Sequence, residues 1–403
     1  MMKQIFSKNY KLLLFGNAIS DFGDILYSVA IGYWVYAKTN STALMGIMSS
    51  ISMFVQMALL PISGTVIDRI DRKKAIVITD VIRGFLMIGC GIFALNDSLS
   101  VSIVLLIALL TSFCSLFFNP AVDTVLIDLL DSDTIVKGQS IYNAVNSFIQ
   151  LSSKAISGAL IVILGVGWII ILNGISFLLS AFSEMFINLN KRDKQTISLS
   201  IKVIINDLKQ GLKVLLSNSN LTFFMFIALV INLLGSGVQS LFMAWVLDIG
   251  FDVKVYGYIS AIQTCAYMGG TLFLSTVNLT KKQTYFLFKY GFILSGISSI
   301  IMYGSTNIYI ITVSSVLTSL GLVIANSIFN AKLMMIIPND SKGSIIGMFS
   351  TCTIGASAMS SIIIGLLCDY IPISLVFIAS SAITLIPLLF MVYNSKAKDF
   401  IFN

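Results

Sequence analysis

The sequence predicts an all-α membrane protein of twelve transmembrane helices arranged as two pseudo-symmetric six-helix bundles. Three observations predict it. Of the 403 residues, 57% are hydrophobic and only 11% are charged, with a mean hydropathy of +0.95. No water-soluble domain of this size carries that balance without exposing apolar surface. Apolar runs of about 20 residues, the length that crosses a bilayer core of roughly 30 Å, recur from end to end. The two halves of the chain also resemble each other at an offset near half its length.

The runs cover 11–37, 42–67, 74–95, 99–127, 136–164, 167–189, 219–247, 255–279, 284–304, 308–330, 342–368 and 371–393. They are continuously apolar, whereas strands of a membrane barrel alternate over about 10 residues, so helices are expected. The first run follows Lys3, Lys8 and Lys11 as in a signal peptide. It has no small-residue cleavage site and continues past Trp34, so it is expected to remain as the first helix.

A polar interval, "KRDKQTISLSIKVIINDLKQGLKVLL" at 191–216, places Ile201, Ile204, Ile205, Leu208, Leu212 and Leu215 at helical spacing. It predicts an amphipathic helix on the cytoplasmic face, linking an N-terminal bundle (1–190) to a C-terminal bundle (217–403). The repeat is visible where "NPAVDTVLIDLLDSDTIVKGQS" from Asn119 aligns with "NSIFNAKLMMIIPNDSKGS" from Asn326. Gly64 and Gly270 occupy matching places in the second and eighth runs. Two parallel six-helix repeats with substrate held between them are a secondary-transporter architecture.

Charge sets the orientation. Lys and Arg total 25 against 18 Asp and Glu. The basic excess falls in the N-terminal tail, the C-terminal tail and every second loop, while the alternate loops hold only Lys38 and Lys254. The positive-inside rule therefore predicts that both termini are cytoplasmic, and the expected location is a bacterial plasma membrane. Trp34, Trp168 and Trp245 fall at predicted outer helix ends, as an interfacial aromatic belt would place them. The basic loops are expected to touch anionic lipid, with no nucleic-acid partner.

The five cysteines lie inside predicted helices without paired spacing, and the chain has no histidine. No metal site is expected, and proton chemistry would have to use carboxylates. With no phosphate-cradling loop either, an enzyme or an ATP-driven pump is not expected, and neither is a cofactor beyond the proton gradient.

One loop concentrates charge: "GTVIDRIDRKKAIVITD", Gly64 to Asp80. Gly64, Asp68, Arg69, Arg72, Lys73 and Lys74 match the "GxxxDRxxRK" loop of the major facilitator superfamily. Asp80 and Arg83 in "DVIRG", with the opening "SDFGDILYSVAIGYWVYAKTNSTALMG", resemble its macrolide-efflux-type branch, which contains drug:proton antiporters. The resemblance covers the whole chain. It implies an exporter of a small drug-like molecule or metabolite, driven by protons and alternating between inward-open and outward-open states, and a monomer is expected. It further implies that Gly64, Asp68, Arg69, Arg72, Lys73, Asp80 and Arg83 form a cytoplasmic gate, with topology anchoring as the alternative for the loop and a plain structural salt bridge as the alternative for Asp80 and Arg83. An Asp near a helix N-terminus gains about 0.3–1 kcal/mol, and Arg can clamp carboxylates bidentately, which suits a breakable latch. The family's fifth-helix "GPxxGG" corresponds here to "SKAISG", Ser153 to Gly158, where only the last glycine is kept and Lys154 replaces the proline.

Ionisable residues deep in a span are functional candidates. Asp21 and Asp24 lie roughly 15–20 Å into the first helix at 1.5 Å per residue, and Lys154 reaches a similar depth in the fifth. A pair between Lys154 and one of these aspartates is allowed, serving either proton coupling or a permanent structural bridge. Asp123 in the fourth helix is a further proton-path or salt-bridge candidate. Glu184, near the end of the sixth, reads as interfacial. Phe22, Tyr27, Phe118, Asn232, Gln239 and Phe242 are candidates to line a substrate cavity, with helix packing as the alternative for each. The leading expectation is proton-coupled efflux of amphipathic drugs or a related metabolite, including a siderophore or peptide. The second is a proton-independent facilitator or importer of the same fold.

Overall fold

The computed structural model describes residues 7–67, 70–130, 134–189, 217–337 and 342–394. Among the described residues there are thirteen helices and no strand. In chain order these are α1 (Lys8–Thr39), α2 (Thr42–Ile67), α3 (Arg72–Leu95), α4 (Val101–Asp128), α5 (Ile135–Leu164), α6 (Val166–Glu184), α7 (Ser219–Ser240), α8 (Phe242–Asp248), α9 (Val253–Thr276), α10 (Lys281–Tyr303), α11 (Ile308–Ile336), α12 (Lys342–Tyr370) and α13 (Ile373–Tyr393). Eleven are long and apolar enough to cross a membrane, all except α8 and α9. At 24 residues, α9 is about 36 Å long at 1.5 Å per residue, sufficient to span. Each expected run is met by one helix except 219–247, which divides at Leu241 into α7 and α8. There the backbone N–H of Leu241 returns to the carbonyls of Gly237 and Gln239, and the chain re-enters a helix at once. The amphipathic linker expected at 191–216 lies outside the described residues.

Large apolar side chains face outward along the helices, including Phe85 (65% exposed), Phe182 (63%) and Ile163 (75%). An apolar exterior of this kind is suited to lipid rather than water.

The described residues fall into two compact units, those within 1–38 and 58–200, and those within 39–57 and 201–403. The division runs through α2, so its first part groups with the second unit and its last part with the first.

In the first unit, α3 and α6 touch backbone to backbone. A Cβ on Gly174 would stand 2.8 Å from the Gly84 carbonyl oxygen, and one on Gly91 3.0 Å from that of Gly167. Lipid tails are as apolar as leucine, so helices in a bilayer associate through close packing of small residues rather than through hydrophobic exclusion. The α1 helix joins this pair through Gly23, where a Cβ would clash with Ser176 and Asn173. At one end, Tyr10, Ile67, Ile76, Val125, Tyr142 and Ile187 close an apolar cluster. Within it, Tyr10 Oη donates to the Gly138 carbonyl at 2.8 Å.

In the second unit, a hydrogen-bonded seam joins α7 to α12. Asn232 Oδ1 accepts from Ser236 (3.2 Å) and Ser357 (3.1 Å), the Gly237 N–H donates to Ser360 Oγ (2.8 Å), and Ser240 meets Ser361 (2.9 Å). Residues 39–57 dock on α12 through one carboxylate. Asp369 accepts from Ser41 Oγ (2.7 Å), Thr42 Oγ1 (2.7 Å), Thr42 N (2.6 Å) and Ala43 N (3.2 Å). It thus caps the orphan N–H groups at the start of α2 from another helix, the task an N-cap residue ordinarily performs in its own chain segment.

The aromatic-belt expectation is corrected at Trp245. Trp168 is 52% exposed at the start of α6, but Trp245 is fully buried. Its indole N–H donates to Ser374 at 3.0 Å, and its ring packs on Phe242 and Tyr303. The break at Leu241 turns α8 into the interior of its unit, which the hydropathy of the run does not reveal.

Candidate functional site

One face of α3 is buried, through Ile76, Thr79, Asp80, Arg83, Gly84 and Met87 at intervals of three and four residues. That spacing is a single helical stripe, and it carries two charges into the first unit. Asp80 is fully buried and Arg83 is 3% exposed. Arg83 Nη2 donates to Asp80 Oδ1 one turn earlier. Its Nη1 lies 3.8 Å from Asp24 Oδ2 on α1. The guanidinium sits between two rings, 4.2 Å from the centroid of Phe118 on α4 and 4.3 Å from that of Phe177 on α6. Each such contact is worth about 2 kcal/mol when desolvated, and the planar guanidinium fits the slot as an ammonium could not.

Around this cation are four carboxyls. Asp24 also accepts from Asn173 Nδ2 at 3.2 Å, and its side chain keeps 41% of its accessibility. Asp21 accepts from Asn17 Nδ2 at 2.9 Å. Glu184 is fully buried at the end of α6, and neither of its oxygens has a hydrogen-bond partner. Asp80 Oδ2 and Arg83 Nε likewise have none. One guanidinium cannot neutralise four ionised carboxyls, and buried unpaired charge is expensive. The cluster therefore holds more carboxyls than its one cation can neutralise.

Several expected site residues sit elsewhere. Lys154 is half-buried on α5 and makes no ion pair among the described residues. The cation beside Asp24 is Arg83, because the buried face of α3 reaches α1 at the level where Lys154 was expected to meet it. Asp123 is exposed. Glu184, expected at the interface, is an interior residue, since Glu184, Ser180, Phe177 and Asn173 share the buried face of α6. Phe118 is 3% exposed and serves Arg83 rather than lining a cavity. Phe22 and Tyr27 are half-buried on α1.

In the second unit Gln239 is exposed. Phe242, at 7% exposure, is stacked on Trp245, and Asn232 is occupied by the seam serines. Of the charged loop, Arg72 pairs with Asp128 of α4 at 2.5 Å within the first unit. Asp71 caps α3 by accepting from the Lys74 N–H at 3.2 Å, and Lys73 is half-buried. Gly64 lies in α2, and Asp68 and Arg69 fall outside the described residues.

Phe177 and Asn173 are site residues that the sequence does not single out, and Glu184 is one that it places at the interface. The signal for them was available in the spacing of four, three and four residues along α6, which places them on the same stripe as Gly174.

A family model described as Major Facilitator Superfamily matches residues 13–353. The chain belongs to this superfamily. Within it, the chain is 32% identical over 250 residues to BacE of Bacillus subtilis (strain 168), a candidate bacilysin exporter, covering 60% of this chain and 59% of BacE. It is 23% identical over 237 residues to macrolide efflux protein A of Streptococcus pyogenes, covering 56% of this chain and 58% of that one. The matched region thus spans less than two thirds of the length of these curated relatives.

Among solved structures, the nucleoside transporter NupG superposes with a TM-score of 0.73 at 13% identity, covering 96% of this chain and 98% of that one. A bacterial homologue of the iron transporter ferroportin, in its inward-facing state, also gives 0.73, at 14% identity with the same coverage of 96% and 98%. These likenesses establish the major facilitator fold. The chain is thus a multi-pass membrane protein of the major facilitator fold.

Proposed function

We propose that this transporter exports amphipathic small molecules, macrolide-like compounds or a related metabolite of the bacilysin kind, by alternating access and in exchange for protons across a bacterial plasma membrane. The observation that carries the exchange is the surplus of carboxyls around Arg83, with the Asp24 side chain still 41% accessible. The likeness to BacE and to macrolide efflux protein A supports the outward direction.

In this reading Asp24 is the entry carboxyl. Ionised, it is held toward Arg83 at 3.8 Å. Protonated, it loses that attraction, and Arg83 is left to Asp80 alone. Asp21, one turn earlier on α1, is the second acceptor. The charged loop then serves mainly to anchor topology and to fix α3 to α4 through Arg72 and Asp128, with any gating role resting on Asp68 and Arg69. Both termini are cytoplasmic, and the working unit is a monomer.

A second reading is a facilitator or importer in which the charges are permanent struts. It draws on the Asp80–Arg83 pair, which is buried and clasped by two rings.

The test is to follow internal pH in proteoliposomes during movement of erythromycin and of bacilysin, for wild type and Asp24→Asn. Substrate-dependent proton flux that the variant loses is the expected result. Substrate movement without proton flux supports the facilitator reading.

A further inference from the structure

The least explained group in the first unit is Glu184. It is fully buried, and both carboxyl oxygens lack a hydrogen-bond partner. It stands at the C-terminal end of α6, where the helix dipole opposes negative charge. The charged and titratable groups facing it are Asp80 and Arg83 from α3 and Tyr142 from α5. On the α1 side the near residue is Gly16, where a Cβ would lie 3.5 Å from Glu184 Cγ, and Asp21 and Asp24 follow further along that helix. On its own helix it faces Ser180, whose hydroxyl lies near both Glu184 and Asp80 without hydrogen-bond geometry to either.

An ionised Glu184 would therefore be a buried anion with no donor, beside a second buried carboxyl and at the negative end of a helix. Arg83 offers little relief, because it is already engaged by Asp80 and Asp24. A carboxylic acid has none of these penalties beyond its own desolvation.

We propose that Glu184 carries its proton in this structure and is the inner member of a line of carboxyls, Asp24, Asp80 and Glu184, along which the exchanged proton passes. In the transfer step, the O–H bond at Glu184 breaks as its proton passes to water on the cytoplasmic side, and a proton held at Asp80 passes to the resulting carboxylate and re-forms the bond. Asp80 is in turn refilled from Asp24, and Arg83 keeps the two aspartates in register. The orphan Oδ2 of Asp80 is the oxygen free to accept. This proposal rests on proton exchange as the transport mode.

Two measurements on the full-length protein test it. Infrared difference spectra between wild type and Glu184→Gln in lipid at neutral pH are expected to show loss of the carbonyl stretch of a protonated carboxylic acid. Loss of a carboxylate band instead overturns the protonated state. In proteoliposomes, Glu184→Gln keeps the buried neutral shape. It is expected to retain exchange of labelled for unlabelled erythromycin while losing substrate-dependent proton flux. Glu184→Asp, which keeps the acid, is expected to restore part of that flux.

Wild-type proton flux in Glu184→Gln would make the residue structural and overturn the relay. If Glu184→Gln fails to fold, Glu184→Asp and the wild-type spectrum alone decide, through whether a protonated-acid band moves with the shortened side chain. Export by wild type without any proton flux defeats the exchange reading and the relay together, whereas the infrared result still decides the protonation of Glu184.

Discussion

Arg83 holds two relationships at once, and they are separable by mutation. It is the cation for a fully buried Asp80 and for a more accessible Asp24, and its faces are covered by Phe118 and Phe177. Removing one partner of a buried ion pair costs about 3–5 kcal/mol, because the other charge is left uncompensated. Arg83→Met is therefore expected to lower the thermal unfolding midpoint in detergent markedly, and Arg83→Met with Asp80→Asn to recover most of the loss. Equal destabilisation in single and double variants would show that the rings, and not the charge, hold this region. The existence of intramembrane aspartates was legible in the sequence, but their partner was not. Lys154 and Arg83 sit at comparable depth along their helices, and depth alone does not give the direction in which a helix turns its side chains. Glu184 was hidden for a related reason, since a charge at the end of an apolar run resembles an interfacial residue until its helical phase is followed back to Asn173.

Helix pairing in the first unit depends on where glycine meets backbone. Gly174 and Gly89 make a matched test, because a Cβ at Gly174 meets the Gly84 carbonyl oxygen at 2.8 Å whereas one at Gly89 meets nothing within 4 Å. Gly174→Ala is expected to destabilise the protein by forcing α3 and α6 apart. Gly89→Ala is expected to be neutral or to stabilise by up to about 1 kcal/mol, the helix-propensity difference. Thermal unfolding of both variants in one detergent checks the contrast, and the same sign for both would refute the backbone contact. Twelve runs were legible because apolar length is recorded residue by residue. The break at Leu241 and the cap that Asp369 supplies to α2 were not. The first leaves the run's hydropathy unchanged, and the second joins residues more than 300 positions apart, with Asp369 itself ending a helix as any surface acid might.

At the scale of the whole molecule, the distribution of lysine and arginine predicts which loops meet the cytoplasm. In a cysteine-free background, Lys38→Cys is expected to react with a membrane-impermeant thiol reagent added to intact cells. Lys137→Cys is expected to react only after permeabilisation. The reverse pattern would invert the orientation and with it the direction assigned to the proton line. The first part of α2 groups with the second unit, a division that the hydropathy of the run does not record. The interlocked glycines of α3 and α6 have a last consequence. Asp80, Arg83 and Glu184 all ride on two helices packed backbone to backbone, which leaves little room to change the spacing among these three groups by sliding one helix past the other. In the proposed cycle, the memory this cluster keeps is then stored as occupancy, which site holds a proton, more than as displacement.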